Sequence, residues 1–380
     1  MPKISNRVLI GLLALVVALV LAACGGGTQQ TAAKATEAPK TTGGSSGPLE
    51  GAAKNLTGAG ATFPAPLYTR WFSDYNKLTG VKVNYQAVGS GAGIKQIQEQ
   101  TVDFGASDAA MTAEQMAAAK GGAILHIPTA FGAVVLTYNL QGVDKPLNLS
   151  ADTVAGIYQG SITRWNDPKI AADNAGVNLP NADIIPVYRS DGSGTTNAFT
   201  EWLATYNADW KAKVGQGTTV KWPTGIGGNG NPGVAGEVKN NPNSIGYVEL
   251  IYAIQNKLAV ANIKNKAGKF VTPSLDATSA SVAAALGSIP DDLRFSVIAT
   301  QPASETAYPI VTATWLLVYE KMTDKAKAVA LTRVLWWATH DAQKTNTELG
   351  YAALPAELLP KVEAKIRQIT VDGQPAFPGE

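Results

Sequence analysis

From Leu56 onward, short apolar runs alternate with segments whose apolar residues recur every three or four positions. VKVNYQAV (81–88), AILHIPTAFGAVVLTYN (123–139), ADIIPVYR (182–189), SIGYVEL (244–250), FSVIAT (295–300) and YPIVTATWLLVY (308–319) predict strands. Several are apolar at nearly every position, the pattern of strands covered on both faces. APLYTRWFSDYNKLTG, IKQIQEQ, ADTVAGIYQG and AFTEWLATYNADWKAKV have the helical period. So do DKAKAVALTRVLWWATHDAQK and PAELLPKVEAKIRQI near the end, which predict helices packed on a finished domain. Alternation of this kind predicts α/β architecture with mainly parallel sheets. No fixed-period internal repeat interrupts it.

The chain's beginning follows a different rule. Lys3 and Arg7 precede VLIGLLALVVALVLAA, an apolar run that stops at small residues, which predicts a secretory signal over 1–23. An uncleaved membrane anchor is the alternative. Leu21-Ala22-Ala23-Cys24 resembles the lipobox of bacterial lipoproteins, in which the cysteine is acylated. Cys24 is the only cysteine, so an intrachain disulfide is impossible and a lipid thioether is the better account of its position. Residues 24–50 are mostly Gly, Ser, Thr, Ala and Pro and read as a lipidated cysteine followed by a flexible tether. No second apolar run is long enough to span a membrane.

With 380 residues, 45% of them hydrophobic and 16% charged, the chain can build two domains with a sizeable core in each. Setting aside Lys3 and Arg7 leaves 29 basic residues against 29 acidic ones. A neutral mature protein has no general electrostatic attraction for nucleic acid or an acidic membrane. Any anion it handles must be held by local geometry.

Three stretches share a design of hydroxyl, glycines and then a helix: GAGATFPAPLYTRW (58–71), GSGAGIKQIQEQ (89–100) and DGSGTTNAFTEWL (191–203). Thr62, Ser90 and Ser193 each stand where an N-cap belongs, and Pro64 suits a first turn. Helix starts leave backbone N–H groups unpaired, and their dipole favours a negative charge by roughly 0.3–1 kcal/mol. Three such ends aimed at one point would form an anion cage, although each cap taken alone is an ordinary structural one. Arg189 adds a guanidinium fork suited to a tetrahedral oxyanion, and Asp191 could hold that fork in place.

Asp108, at the end of TVDFGASDAAMT (101–112), looks misplaced beside an anion unless the anion carries a proton. A carboxylate can accept a hydrogen bond from P–OH, whereas sulfate offers no donor. A lost charged hydrogen bond in a buried site costs about 1.5–3 kcal/mol. Asp108 would then discriminate between the two anions, the alternative being a cap for the helix AAMTAEQMAAA.

Other chemistries find little support. GIGGNG (225–230) fits a dinucleotide-binding pattern, but it follows VKWPT and runs into NPG, which predicts no helix there. His126 and His340, the only histidines, have no context suggesting a base beside Ser193, and both read as packing or surface residues. No metal site and no cofactor are expected, and neither is an enzymatic activity.

GAGATFPAPLY, VNYQAVGSGAGIKQI, TVDFGASDAAM, IYQGSITRWNDPKI, RSDGSGTT, TVKWPTGIGGNGNPGVA and IGYVE, in this order, resemble the phosphate-binding proteins of bacterial phosphate ABC transporters (PstS type), from about Thr57 to beyond Tyr319. The resemblance implies a class II periplasmic-binding-protein fold, two α/β lobes joined by a hinge with the ligand in the cleft. The lobes would be 51–138 with 307–380, and 139–306. By position, Thr62, Phe63, Ser90, Asp108, Arg189, Ser193, Gly194 and Thr195 would bind phosphate, with Asp191 in support. Relatives often carry GSSGG where this chain has GSGAG, so one hydroxyl after Ser90 is missing. The resemblance further implies an extracytoplasmic, membrane-anchored lipoprotein that delivers phosphate to permease subunits and their ATPase. The chain is expected to act as a monomer and to bind no nucleic acid. A receptor for sulfate, molybdate or a phosphonate, a phosphoryl-transfer enzyme, and a phosphate sensor or adhesin on the same fold are the rivals.

Overall fold

A computed structural model describes residues 51–300 and 303–377. The expected signal segment, Cys24 and the tether to residue 50 lie outside the described residues.

Nine strands form one mixed sheet. They are β1 (Asn55–Gly60), β2 (Lys82–Ala87), β3 (Phe104–Ser107), β4 (Ile124–Asn139), β5 (Ile185–Arg189), β6 (Ile226–Gly228), β7 (Ser244–Glu249), β8 (Ala259–Val260) and β9 (Val311–Tyr319). Their order is β2-β1-β3-β9-β4-β7-β5-β6, with β8 paired to the end of β4. β1 is parallel to β2 and β3, and β5 is parallel to β6 and β7. The centre departs from the expected parallel pattern, because β9 runs antiparallel to β3 and β4, and β4 antiparallel to β7. No crossover helix is needed where two long strands run past each other in opposite directions.

β4 serves two half-sheets. It pairs with β9 as far as Ala133 and with β7 from Val134 onward. Buried at every position before Asn139, it explains the unbroken apolar run in the sequence. Pro128 cannot donate to a ladder, and the pairing register slips beside it between Thr314 and Trp315, leaving Thr129 as the extra residue of a bulge.

The helices that matter to the site are α1 (Ala65–Thr79), α2 (Ser90–Gln98), α3 (Ala113–Ala117), α4 (Ala151–Gln159), α5 (Gly194–Tyr206), α6 (Ala208–Lys213), α7 (Gly230–Asn240) and α8 (Leu250–Asn256). α1 buries Leu67, Tyr68, Trp71, Phe72 and Tyr75 on one face and ends at Gly80 in the left-handed region. Tyr68 and Phe72 pack on Tyr85 and Phe104, with ring centroids 5.2 and 6.0 Å apart. α5 does the same for the second half-sheet, where Phe199 stacks on Tyr247 at 4.2 Å. Each such fully buried side chain contributes about 1.5–3 kcal/mol.

Two expected elements differ. FSVIAT is not a strand, for Ser296 Oγ accepts the Ala299 N–H and starts a short helix at Val297–Thr300, while Phe295 packs edge-on against Trp315. The single helix expected over 198–214 is two helices, because Asn207 leaves helical geometry and its Oδ1 caps α6 through the Trp210 N–H.

Candidate anion site

Open α/β sheets present ligand sites beyond the carboxyl ends of their parallel strands. Here β1 runs into Ala61-Thr62-Phe63 and α1, β2 into Gly89 and α2, and β3 directly into Asp108. From the other half-sheet, β5 ends on Arg189 ahead of α5, and β6 leads into α7. The strand ends are level, for Gly60 pairs with both Ala87 and Ala106, and Arg189 with Gly228. Loops far apart in the chain therefore meet across the sheet, Ser90 and Gly194 being 104 residues apart, and Thr62, Phe63, Ser90, Asp108, Arg189, Ser193, Gly194 and Thr195 are all buried.

Of the three expected caps, one holds. Ser193 is the N-cap of α5 and accepts the Thr196 N–H at 3.0 Å. Ser90 is the first residue of α2 and Gly89 its cap, so the serine hydroxyl is free for other partners. It accepts the N–H of Gly194 at 3.0 Å and of Asp108 at 3.3 Å, and donates to Asp108 Oδ2 at 3.5 Å. Thr62 lies two residues ahead of the cap position of α1, which is Pro64. Its hydroxyl instead accepts from Asn231 of the other half-sheet.

The guanidinium of Arg189 is held by Asp191 in a two-pronged pair, Nε to Oδ1 at 2.8 Å and Nη2 to Oδ2 at 2.6 Å. Nη1 remains on the other edge and donates to Thr195 Oγ1 at 3.3 Å. Asp191 Oδ1 also accepts the Gly230 N–H at 2.9 Å. Burial pushes the Asp191 carboxyl up, but the Arg189 bonds and charge outweigh it and hold the group below its ordinary range. The pair is neutral as a unit, and one edge of the cation stays available.

Asp108 does not cap a helix. That place belongs to Thr112, which forms a capping box with Gln115 at the start of α3. Asp108 Oδ1 accepts the Thr314 hydroxyl at 2.8 Å. Burial pushes its carboxyl up to about 7, against the lowering effects of Thr314, Arg189 and Ser90. Gly194 sits so close that a Cβ there would stand 2.6 Å from the Asp108 Cβ and 2.7 Å from its backbone N and Cα. The start of α5 therefore abuts the carboxylate with no room to spare.

Several residues at the site carry no signal in the sequence pattern. GIGGNG does lead into a helix: β6 covers Ile226–Gly228 and α7 begins at Gly230. Pro232 does not stop it, because it sits in the first turn, where a missing N–H costs nothing. Asn231, fully buried, donates from its backbone N (3.0 Å) and from Nδ2 (2.9 Å) to Thr62 Oγ1, and from Nδ2 to Thr195 Oγ1 (3.1 Å). Its Oδ1 accepts the Glu249 N–H at 2.9 Å. Tyr252 and Tyr351 donate their hydroxyls to the carbonyls of Thr62 and Phe63. Glu249 is fully buried with Oε2 capping α8 through Ile251, and burial pushes its carboxyl well above the usual range. A bulged-out Thr129 joins Tyr68 to the Thr314 carbonyl, bracing the residue that holds Asp108.

The histidines lie elsewhere. His126 Nε2 accepts the Met111 N–H at 3.0 Å, and burial lowers its pKa to about 4. His340 stacks on Trp336 at 4.3 Å and contacts Glu363.

The ensemble offers a partly neutralised arginine, helix starts from both half-sheets, inward hydroxyls and one carboxyl poised to hold or release a proton. That set suits a small tetrahedral anion bearing a proton.

A family model described as the PBP superfamily domain matches residues 30–332. Phosphate-binding protein PstS of Pasteurella multocida is 44% identical over 314 residues, covering 82% of this chain and 90% of that protein. The protein of the same name from Methanocaldococcus jannaschii is 39% identical over 322 residues, covering 79% and 82%. The solved phosphate-binding protein of Stenotrophomonas maltophilia aligns with a TM-score of 0.65 at 20% identity, over 82% of this chain and 94% of that one, a likeness of fold.

Proposed function

The chain belongs to the PBP superfamily and, within it, to the PstS phosphate-binding proteins, and from that membership we propose that it is an extracytoplasmic phosphate receptor for an ABC transporter. It binds inorganic phosphate tightly, hands it to membrane permease subunits driven by their ATPase, and performs no chemical step. Cys24 carries the lipid that keeps it at the membrane, and it works as a monomer.

Phosphate lies between two lobes, 51–138 with 307–380 and 139–306, and the change of partner along β4 at Ala133 and Val134 supports a hinge in that stretch. Thr62, Phe63, Ser90 and Asp108 bind from one side. Arg189, Ser193, Gly194 and Thr195 bind from the other, with Asp191 steadying the arginine. Closure removes the anion from water, and charge-assisted hydrogen bonds replace its hydration shell. The bonds Gly91 N–H to Gly192 carbonyl (2.9 Å) and Gly194 N–H to Ser90 Oγ are the kind that closure would add.

The observation that carries this reading is Asp108 buried beside Arg189. A carboxylate at an anion site is tolerable only if a proton lies between it and the ligand, and phosphate supplies that proton where sulfate does not. Calorimetric titration of the ligand-stripped full chain, purified in detergent, tests it. One-to-one phosphate binding with sulfate rejected is expected. Absence of both heat and thermal stabilisation with phosphate would sink the assignment.

A further inference from the structure

We infer that Asn231 is a positioning residue that forces the hydroxyls of Thr62 and Thr195 to act as donors toward the bound anion. The inference rests on the phosphate-receptor reading and goes beyond it, since Asn231 itself need not touch the ligand.

A threonine hydroxyl has one proton to give and two lone pairs that accept. In an anion site only the proton is useful, and an unconstrained hydroxyl rotates to suit whatever lies nearest. At Thr62 both lone pairs are occupied, by the Asn231 backbone N–H at 3.0 Å and by Asn231 Nδ2 at 2.9 Å. At Thr195 they are occupied by the second Nδ2 proton at 3.1 Å and by Nη1 of Arg189 at 3.3 Å. These partners are nitrogens that can only donate, so neither hydroxyl proton can point at them. Among the described residues, neither hydroxyl donates to a protein acceptor in a hydrogen bond. The proton of each is left for the ligand.

The amide cannot be turned round. Its Oδ1 accepts the Glu249 N–H at 2.9 Å, and a flipped amide would set NH2 against that N–H. Asn231 and Thr195 are fully buried and Thr62 nearly so, which leaves water no opening to scramble the pattern. One side chain, clamped by β7, thus orients two donors that come from different half-sheets, Thr195 within its own and Thr62 once the two meet. Donors held in place by the protein reorganise little as the anion is enclosed. The same residue ties the loop after β1 to the starts of α5 and α7, so the preset arrangement is complete only when the two half-sheets are together.

A double-mutant cycle tests this, with phosphate affinity measured by calorimetry on the full chain and thermal unfolding of the ligand-free variants alongside. Asn231→Ala is expected to weaken phosphate binding roughly 10- to 100-fold, the scale of lost charged hydrogen bonds. In a background carrying Thr62→Val and Thr195→Val the same substitution should cost less than about threefold, because the hydroxyls it orients are gone. An equal loss in both backgrounds would mean that Asn231 acts independently of the two hydroxyls and would overturn the inference. Asn231→Ser runs the same cycle with a milder perturbation should the alanine variant not fold. Asn231→Asp, equal in size but offering only acceptors from its side chain, should draw both hydroxyl protons to itself and bind phosphate more weakly than Asn231→Ala. Binding by Asn231→Asp as tight as the unaltered chain would also overturn it. Failure of the unaltered chain to bind phosphate at all is a different result, and removes the functional reading instead.

Discussion

If Asp108 reads the ligand's proton as proposed, anion selectivity depends on pH. Its carboxyl is fully buried and has been pushed up to about 7, so it titrates within an accessible range. Above that value it is a carboxylate: it can accept from the P–OH of phosphate, while sulfate meets a bare negative charge. Below it the group is a carboxylic acid and can donate to either anion. Phosphate keeps at least one proton throughout, so its binding survives on both sides of the transition. Sulfate needs the protonated carboxyl, and at pH 8, one unit above the transition, only about a tenth of the molecules have it. Sulfate affinity should therefore rise about tenfold between pH 8 and pH 6, equivalent to about 1.4 kcal/mol, and level off below. Competition calorimetry of sulfate against phosphate at a series of pH values reads this directly. Asp108→Asn supplies a donor at every pH, so its sulfate affinity should be higher at pH 8 and flat. If the unaltered protein's preference for phosphate were constant from pH 8 to pH 6, or if Asp108→Asn kept the slope, Asp108 would not be the proton reader.

Two further outcomes follow from the same geometry. Glu249 holds its proton in the fold to well above the usual carboxylate range but would ionise in the unfolded chain near 4.5; folded stability is therefore lost as pH rises from about 4.5 toward the folded value, by about 1.4 kcal/mol per pH unit. Glu249→Gln should melt higher than the unaltered chain at pH 8 and lose that advantage toward pH 5, and a difference independent of pH would contradict the argument. At Gly194 a Cβ would lie 2.6 Å from the Asp108 Cβ, so Gly194→Ala should push the two loops apart and weaken phosphate binding by at least tenfold, of the order of one lost charged hydrogen bond. Small-angle scattering of that variant with phosphate present should show it no more compact than without, and full compaction would refute the steric account.

Much of the fold was legible because its signals are local. The continuous apolar run 123–139 became β4, and the periodic apolar face of 65–79 became α1. Where structure and pattern part, the departure is local too, but neighbours decide it. FSVIAT has strand composition, yet Ser296 caps a helical turn and Phe295 finds its place against Trp315 on the flank of the sheet. GIGGNGNPG has loop composition, yet its proline falls in a first turn, where it breaks nothing, and a helix starts at Gly230.

For the site, residue order is enough for contacts that lie within a few residues. Arg189 and Asp191 stand two apart at the end of a strand, where their side chains can meet, and Ser193 reaches the N–H three residues on. Short separations leave few dihedrals free, so pattern is enough. Packing of distant segments supplies the rest: Thr314 on Asp108 across 206 residues, Asn231 on Thr62 across 169, and Tyr252 on the Thr62 carbonyl across 190. It also raises the carboxyl pKa of Asp108 and Glu249. Their pKa values rise because burial strips both carboxyls of water, and burial is a property of everything packed around a group rather than of the residues beside it in the chain.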